Sequence, residues 1–319
     1  MLKIQQKSTL THDQFELTAE GLWRYVIDVS RPTDVSTDIR LPVILVVDGN
    51  WYFDFVQVIV HGPQARMARE ADSEFFPPSF VVGVGYPEDE GQASNAARCC
   101  FDFQEAWEMN DLMGRVVRDQ FTPDMRGGGY HRFMAFLRDE LFPVLATGYP
   151  TDPSARHTLI GHSYGGLFTL RAVYDPQTPF SRFVAISAAG GEEGVIERAE
   201  SVYANTQKDL DADVFICAGS EEIAGPPGAM CRYSSVMTRT AESFTLRQWK
   251  SGRLEWEIMN KENHPSILPR AISAGLRSVH RARPDARTSA HERSCAALLA
   301  DQRSTEKMKV DPGLRGANC

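Results

Sequence analysis

The stretch that decides the fold is Leu159-Ile160-Gly161-His162-Ser163-Tyr164-Gly165-Gly166-Leu167. It contains a G-x-S-x-G pattern, and the apolar residues around it predict a buried strand before the serine and a helix after it. A strand-to-helix turn of this kind holds the serine hydroxyl above a sheet edge, and a Cβ at either flanking glycine would collide with neighbouring backbone. We therefore expect Ser163 to be a nucleophile. The competing interpretation is a glycine-rich helix start with Ser163 near the N-cap.

The composition favours one large α/β domain. A chain of 319 residues, 42% of them hydrophobic, can bury a substantial core. The net charge of −8 argues against a general affinity for nucleic acid or for an anionic membrane surface. The first ten residues hold no apolar run of signal-peptide length, and no later run approaches a membrane span. These features predict a cytoplasmic protein.

The cysteines and glycines give no sign of a metal or a cofactor. The six cysteines form no C-x-x-C pair and no cysteine–histidine spacing suited to zinc, so reduced thiols are expected. Gly83 and Gly85 resemble part of a dinucleotide-binding loop, but the third glycine and the following helix are missing. Close backbone packing is the stronger explanation for these two glycines. We expect no cofactor and no metal.

Strand and helix patterns alternate along the chain. An early antiparallel strand is predicted within 15–29, and further strands at 41–47, 80–87, 157–160, 183–187, 213–219 and 253–259. Helices are predicted at 51–71 with a break near Gly62-Pro63, and at 130–146, 167–173, 195–205, 230–244 and 266–280. The alternation predicts a mostly parallel sheet with helices on both faces.

Two segments depart from this alternation. Residues 88–129 are polar with scattered aromatic residues, which is typical of a lid or binding loop over a site; a poorly ordered excursion is the alternative. From residue 282 the composition changes to arginine, serine, alanine and glycine. We therefore predict one domain over residues 1–281 and a mobile or loosely docked tail over 282–319.

A serine nucleophile needs a base and a group that orients the base. In a fold of this type the acid and the histidine follow the serine in the chain. Three histidines remain as candidates, and only His264 lies in a loop between a strand and a helix; His280 lies near a helix end and His291 in the tail. His264 is therefore the predicted base.

The predicted acid is a glutamate after one of two strands. Glu221 and Glu222 follow the strand at 213–219, and Glu192 with Glu193 follows the preceding strand. Paired glutamates in loops are commonly solvated side chains, so the pattern by itself leaves the choice open.

An ester carbonyl also needs donors for its developing negative charge and a pocket for its substituents. The backbone amides of Asn50, after an early strand, and Tyr164, after the nucleophile, are the expected oxyanion hole. The candidates for an apolar substrate pocket are Trp51, Phe101, Phe103, Trp107 and Tyr164.

Four separated motifs, in order, resemble the putative esterase family of α/β-hydrolases. They are Asp48-Gly49-Asn50 with Tyr52-Phe53, Val82-Gly83-Val84-Gly85-Tyr86-Pro87, the elbow at Gly161 to Leu167, and Glu262-Asn263-His264. The likeness spans roughly Phe15 to His280. This family contains enterobactin and salmochelin esterases and relatives of S-formylglutathione hydrolase.

The resemblance implies an α/β-hydrolase fold and a serine hydrolase that cleaves carboxylic esters of small molecules. It also implies that the family's G-x-x-E pattern falls on Gly219 and Glu222, which makes Glu222 the first choice for the acid and Glu221 the second. Siderophore trilactones or thioesters are alternative substrates for the same mechanism. A non-catalytic binding protein on a hydrolase scaffold is the alternative of another class. The oligomeric state stays open.

Overall fold

One eight-stranded sheet forms the centre of the protein. The computed structural model describes residues 12–70, 77–106, 126–190, 192–223 and 231–283. The strands are β1 (Asp13–Thr18), β2 (Arg24–Ser30), β3 (Val43–Val47), β4 (Phe80–Gly85), β5 (His157–His162), β6 (Phe180–Ile186), β7 (Asp213–Gly219) and β8 (Arg253–Met259). Their order is β1-β2-β4-β3-β5-β6-β7-β8. Strand β2 pairs antiparallel with β1 and β4, and the strands from β4 to β8 run parallel.

Helices cover both faces of this sheet. They are α1 (Gly49–His61), α2 (Pro63–Glu70), α3 (Gln92–Asp102), α4 (Tyr130–Ala135), a π-helical segment (Phe136–Leu141), α5 (Phe142–Gly148), α6 (Tyr164–Val173), α7 (Val195–Thr206), α8 (Ser220–Ile223), α9 (Tyr233–Arg247) and α10 (Leu268–His280). No helix in these described segments is long and apolar enough to cross a membrane.

The core lies in two apolar layers, one on each face of the sheet. Every residue of β3, β4, β5 and β7 is buried, which explains why these strands are continuous apolar runs rather than alternating ones. One layer contains α6, α4 and the π-helical segment, and the other contains α1 and α10. The predicted α/β class and the mostly parallel sheet are confirmed. The carboxyl ends of the parallel strands therefore meet at one edge.

Two predicted elements differ in detail from the structure. The early strand is a hairpin of two strands, because Thr18 to Arg24 includes a tight turn with Gly21 at φ 71°. The helix predicted at 130–146 contains the π-helical segment. Pro143 lies two residues after its end; because proline lacks an N–H and its ring crowds the preceding turn, the widened turn fits there.

The segment 88–129 is not uniformly irregular, which corrects the sequence interpretation. Residues Gln92–Asp102 form α3, in which two polar residues, Asn95 and Asp102, are buried: Asn95 donates to the Pro87 carbonyl at 3.1 Å. Asp102 accepts hydrogen bonds from Trp23, Tyr25 and Tyr86. Because buried polar residues occupy inward positions of this helix, its sequence lacks the apolar periodicity from which a helix is predicted. Residues 107–125, and the tail from 284 on, lie outside the described residues, and the role of 88–129 as a lid stays a prediction.

Candidate active site

Ser163 lies at the join of β5 and α6, in a backbone conformation that L-residues rarely adopt. Its φ is 57° and its ψ is −119°. The conformation is fixed on both sides of the serine, because the Ser163 N–H donates to the Ile186 carbonyl at 3.0 Å and its carbonyl accepts from Ala189 at 3.1 Å. Strand β6 and the chain after it thus hold the turn from the neighbouring side.

The glycines of the elbow are required by close approach. A Cβ on Gly161 would lie 2.0 Å from the Gly165 carbonyl oxygen, and a Cβ on Gly165 would lie 2.8 Å from the Val47 side chain. A Cβ on Gly166 would lie 2.7 Å from the Ile186 carbonyl oxygen. The helix starts close above two neighbouring strands, which leaves the serine at the carboxyl edge of the sheet.

Glu222, in the short helix α8, and His264, in the loop after β8, are brought together at this edge. Nδ1 of His264 lies 2.5 Å from Oε1 of Glu222, and Glu222 is 5% exposed. The second oxygen of the carboxylate, Oε2, accepts from the Ser187 hydroxyl at 2.7 Å and from the Gly219 N–H at 2.6 Å. Both oxygens therefore have partners, and the bond to Nδ1 leaves Nε2 as the nitrogen of His264 available for proton transfer.

Glu221 and Glu222 differ in position although they are adjacent. Glu221 is exposed, and its backbone N–H donates to the Glu262 carbonyl at 3.0 Å. A Cβ on Gly219 would lie 2.2 Å from that same Glu262 oxygen. The glycine thus lets the loop after β8 lie against the end of β7, where Glu222 meets His264.

The loop that carries His264 is held by its own hydrogen bonds. The Asn263 N–H donates to the Ser266 hydroxyl at 3.0 Å, and the Ser266 N–H donates to Oδ1 of Asn263 at 3.1 Å. The Lys261 N–H donates to the Ser220 hydroxyl at 2.8 Å. Two bonds within the loop and one to Ser220 of α8 present the histidine in a defined orientation.

Two further rings contact His264. The His162 ring lies with its centroid 4.2 Å from that of His264, and the Tyr233 ring lies at 4.9 Å. The Tyr52 hydroxyl lies 2.9 Å from Nδ1 of His162. Burial lowers the pKa of His162 to about 3, so its ring is neutral. Because His162 directly precedes Ser163, the ring contact places His264 beside the elbow.

The expected oxyanion amides lie at the starts of two helices. Asn50 and Tyr164 occupy the first turns of α1 and α6, where amides have no intrahelical acceptor. The Asn50 side chain accepts from the Tyr86 N–H at 3.3 Å. A Cβ on Gly85 would lie 2.8 Å from the Asn50 nitrogen, so close backbone packing accounts for this glycine.

The candidate pocket residues fall into different environments. Trp51 is 39% exposed on the first turn of α1, beside Asn50. Phe101 packs against Trp23, with ring centroids 5.8 Å apart, and lies close to Gly129. Phe103 is 1% exposed and packs against Phe133 and Phe168, so it is a core residue, contrary to the sequence expectation. Trp107 lies outside the described residues.

The remaining candidates are engaged elsewhere or undescribed. His280 is partly buried, with Nε2 3.0 Å from the Thr158 hydroxyl, and desolvation holds its pKa well below the ordinary value. Glu192 and Glu193 pair with the surface arginines Arg198 and Arg239. His291 lies in the undescribed tail. Sequence reasoning missed Ser187 and Tyr233; the only signal for Ser187 was a small polar residue directly after a buried strand.

A family model described as "Putative esterase" matches residues 22–222. The chain belongs to this family. The range of the chain that the family model matches contains the elbow and ends at Glu222. The protein therefore has the α/β-hydrolase fold and is an ester-hydrolysing enzyme.

Relatives in this family are named for siderophores. The ferri-bacillibactin esterase BesA of Bacillus subtilis is 25% identical over 256 residues, covering 79% of this chain and 83% of its own. The siderophore triacetylfusarinine C esterase of Aspergillus fumigatus is 30% identical over 179 residues, covering 55% of this chain and 54% of its own. The crystal structure of the BES protein from Bacillus cereus is 25% identical with a TM-score of 0.69, covering 88% of this chain and all of its own.

Proposed function

We propose that this protein hydrolyses the ester bonds of a siderophore through a Ser163–His264–Glu222 triad. The observation that carries the proposal is the 2.5 Å contact between His264 Nδ1 and the buried Glu222 carboxylate, on the same sheet edge as the strained Ser163. A buried carboxylate on Nδ1 fixes the tautomer of the imidazole and stabilises the imidazolium that forms. The substrate class is supported by the names of the relatives.

In this scheme Ser163 Oγ attacks the ester carbonyl carbon while Nε2 of His264 takes the hydroxyl proton. The resulting oxyanion accepts hydrogen bonds from the backbone amides of Asn50 and Tyr164. Collapse of the tetrahedral intermediate breaks the ester C–O bond, and the imidazolium returns the proton to the leaving alkoxide. Water then attacks the acyl-enzyme with His264 as base again, which releases the acid and restores the serine. Trp51, which is 39% exposed and follows Asn50 directly in the chain, is the proposed wall for the substrate.

Covalent labelling tests the nucleophile. A fluorophosphonate probe should label the wild-type protein at one site, and Ser163→Ala should lose the label. The same variant should lose hydrolysis of p-nitrophenyl acetate by a factor of about 10³ or more. An active Ser163→Ala protein would rule out Ser163 as the nucleophile, whereas a wild type that the probe does not label would favour a binding function on a hydrolase scaffold.

A substrate comparison tests the siderophore assignment. We expect kcat/KM for ferric and iron-free bacillibactin to exceed that for p-nitrophenyl acetate and for S-formylglutathione. Since discrimination is the ratio of kcat/KM values, all four substrates should be measured with one enzyme preparation. A preference for S-formylglutathione would assign the protein to thioester hydrolysis with the same triad.

A further inference from the structure

The imidazole of His264 contacts two aromatic rings that come from distant parts of the chain. His162 ends β5, with a ring centroid 4.2 Å from that of His264 and an interplanar angle of 37°. Tyr233 begins α9, with a centroid 4.9 Å away and an angle of 35°. Both rings are less than a tenth exposed. These angles make both contacts tilted ones, between the stacked and the edge-to-face arrangements, so that each ring turns part of its face toward the imidazole.

We propose that His162 and Tyr233 are positioning residues whose ring faces hold His264 and stabilise its protonated form during acyl transfer. This inference rests on the proposed triad, in which His264 carries a positive charge in both transition states. A cation within about 6 Å of an aromatic centroid is attracted by the ring face, more strongly where water is excluded. Both centroid distances fall inside that range.

The role of His162 requires that its own ring stays neutral. Burial lowers the pKa of His162 to about 3, and the charge of His264 lowers it further in the same direction. A protonated His162 would repel the imidazolium at a centroid distance of 4.2 Å. The neutral ring instead presents a π face, and the Tyr52 hydroxyl 2.9 Å from Nδ1 sets its orientation.

The other ionisable groups around His264 are accounted for by separate contacts. Glu222, from α8, lies in the hydrogen-bond direction of Nδ1 rather than against a ring face. Glu262, in the histidine's own loop, accepts from the Ser266 hydroxyl at 2.6 Å. Burial raises the pKa of Tyr233 well above the ordinary value, so the phenol stays neutral. The two rings therefore act on the imidazole as uncharged neighbours.

Simple packing would give the same contacts, so the variants must separate ring chemistry from volume. Tyr233→Leu removes the π face but keeps an apolar wall that excludes water, and Tyr233→Phe restores the face without the hydroxyl. His162→Leu makes the equivalent change at the other ring. A packing role predicts that leucine and phenylalanine at 233 behave alike, whereas the proposed role predicts that they differ.

The experiment measures kcat and KM for p-nitrophenyl acetate between about pH 5 and pH 9, where the acid limb reports loss of the general base. For Tyr233→Leu we expect kcat to fall about three- to tenfold, KM to stay within about twofold, and the acid limb to move to lower pH. Tyr233→Phe should recover most of kcat and of the acid limb. His162→Leu should repeat the leucine pattern independently.

Fluorophosphonate labelling and circular dichroism of each variant show whether the elbow is intact. Unchanged kcat and an unmoved acid limb in both leucine variants would overturn the proposal, as would equal losses in Tyr233→Leu and Tyr233→Phe. If one leucine variant does not fold, the other decides the question. The proposed function fails separately, through a Ser163→Ala protein that keeps its activity.

Discussion

The two halves of the active site are built in different ways. The elbow around Ser163 consists of six consecutive residues, and its shape is imposed by backbone contacts such as the 2.0 Å approach that a Gly161 Cβ would make to Gly165. The pair of Glu222 and His264 joins residues 42 positions apart, and side-chain hydrogen bonds hold it. The nucleophile is thus fixed by steric exclusion, whereas the acid and base are fixed by polar contacts.

This difference predicts two kinds of response to substitution. A side chain added to the elbow meets backbone atoms, which cannot move without displacing a strand or a helix. A hydrogen bond removed from the acid–base pair leaves the backbone in place and weakens the orientation of a single side chain. Damage to the elbow should therefore appear as lost stability, and damage to the pair should appear as lost turnover in a folded protein.

The largest effect is expected for Gly161→Ala. Its Cβ would overlap the Gly165 carbonyl, so we expect a loss of more than about 3 kcal/mol in the free energy of unfolding together with loss of activity. Urea denaturation followed by circular dichroism measures this. Gly148→Ala is the matched control, since a Cβ there meets no atom within 4 Å. Equal stability of the two variants would contradict the steric account of the elbow.

The next effect is expected for Glu222→Gln. The amide is close in shape to the carboxylate but cannot stabilise the imidazolium or hold the same tautomer, so kcat should fall by a factor of about 10² to 10⁴ with little change in the melting temperature. Steady-state kinetics with p-nitrophenyl acetate and a thermal melt measure both. Glu221→Gln changes an exposed neighbour and is the control. Similar kinetics for the two variants would remove Glu222 from the triad.

The same difference explains what the sequence could predict. The elbow is contiguous, so its glycines and flanking apolar runs identified both the turn and the strand-to-helix join. Chain order left three histidines as candidates, and His264 was the predicted base because it alone lies in a loop between a predicted strand and a predicted helix. The α/β class and the mostly parallel sheet followed from the alternation of patterns, which the structure confirms.

The residues that escaped prediction depend on contacts between separate elements. Ser187 meets Glu222 only because β6 and β7 are adjacent in the sheet, and Tyr233 meets His264 only because α9 starts beside the loop after β8. Phe103 was misplaced for a related reason. Its neighbour Asp102 is polar yet buried, with three hydrogen-bond donors around it, so local polarity predicted a lid or binding loop where the structure has the end of α3.

A smaller effect is expected for Ser187→Gly, which tests how the polar half is held. Ser187 has a φ of 45°, so glycine fits the backbone and the change isolates the hydroxyl that donates to Glu222. Loss of a hydrogen bond to a charged group costs about 1.5 to 3 kcal/mol. We expect roughly half of this cost to raise the activation barrier, which would lower kcat about tenfold. Ser187→Ala should be less stable than Ser187→Gly, because alanine is strained at this φ. Its kcat should be at least as low as that of Ser187→Gly, because it lacks the same hydroxyl. Wild-type kcat in Ser187→Gly would show that the Gly219 N–H alone is sufficient to hold the carboxylate.

The smallest effect is expected for Asp48→Asn, and it appears only in the pH dependence of stability. Asp48 lies beneath the elbow, where a Gly165 Cβ would lie 3.4 Å from its Oδ2, and its Oδ1 has no hydrogen-bond partner in the described part of the chain. Burial raises the pKa of Asp48 to about 8, with a further contribution from the charge of Asp102. Asparagine tolerates the left-handed backbone found here, at φ 55°.

The sign of this dependence follows from proton binding. Between about pH 4 and about pH 8 the folded protein keeps the Asp48 proton that the unfolded chain has lost, so the Asp48 contribution to the free energy of unfolding should slope downward as pH rises through this window. Buried histidines such as His162 and His280, whose pKa values burial lowers, contribute an opposite slope that wild type and variant share. Asp48→Asn should flatten the downward slope and exceed the wild type most clearly near the upper end. Burial also raises the pKa of Asp102, to about 7, so part of the slope should remain in the variant. Urea denaturation at several pH values measures the two curves. If the free energies of unfolding of wild type and variant run parallel with pH, Asp48 is already ionised in the folded protein. The elbow would then contain a buried charge, and its partner would have to lie beside Ser163.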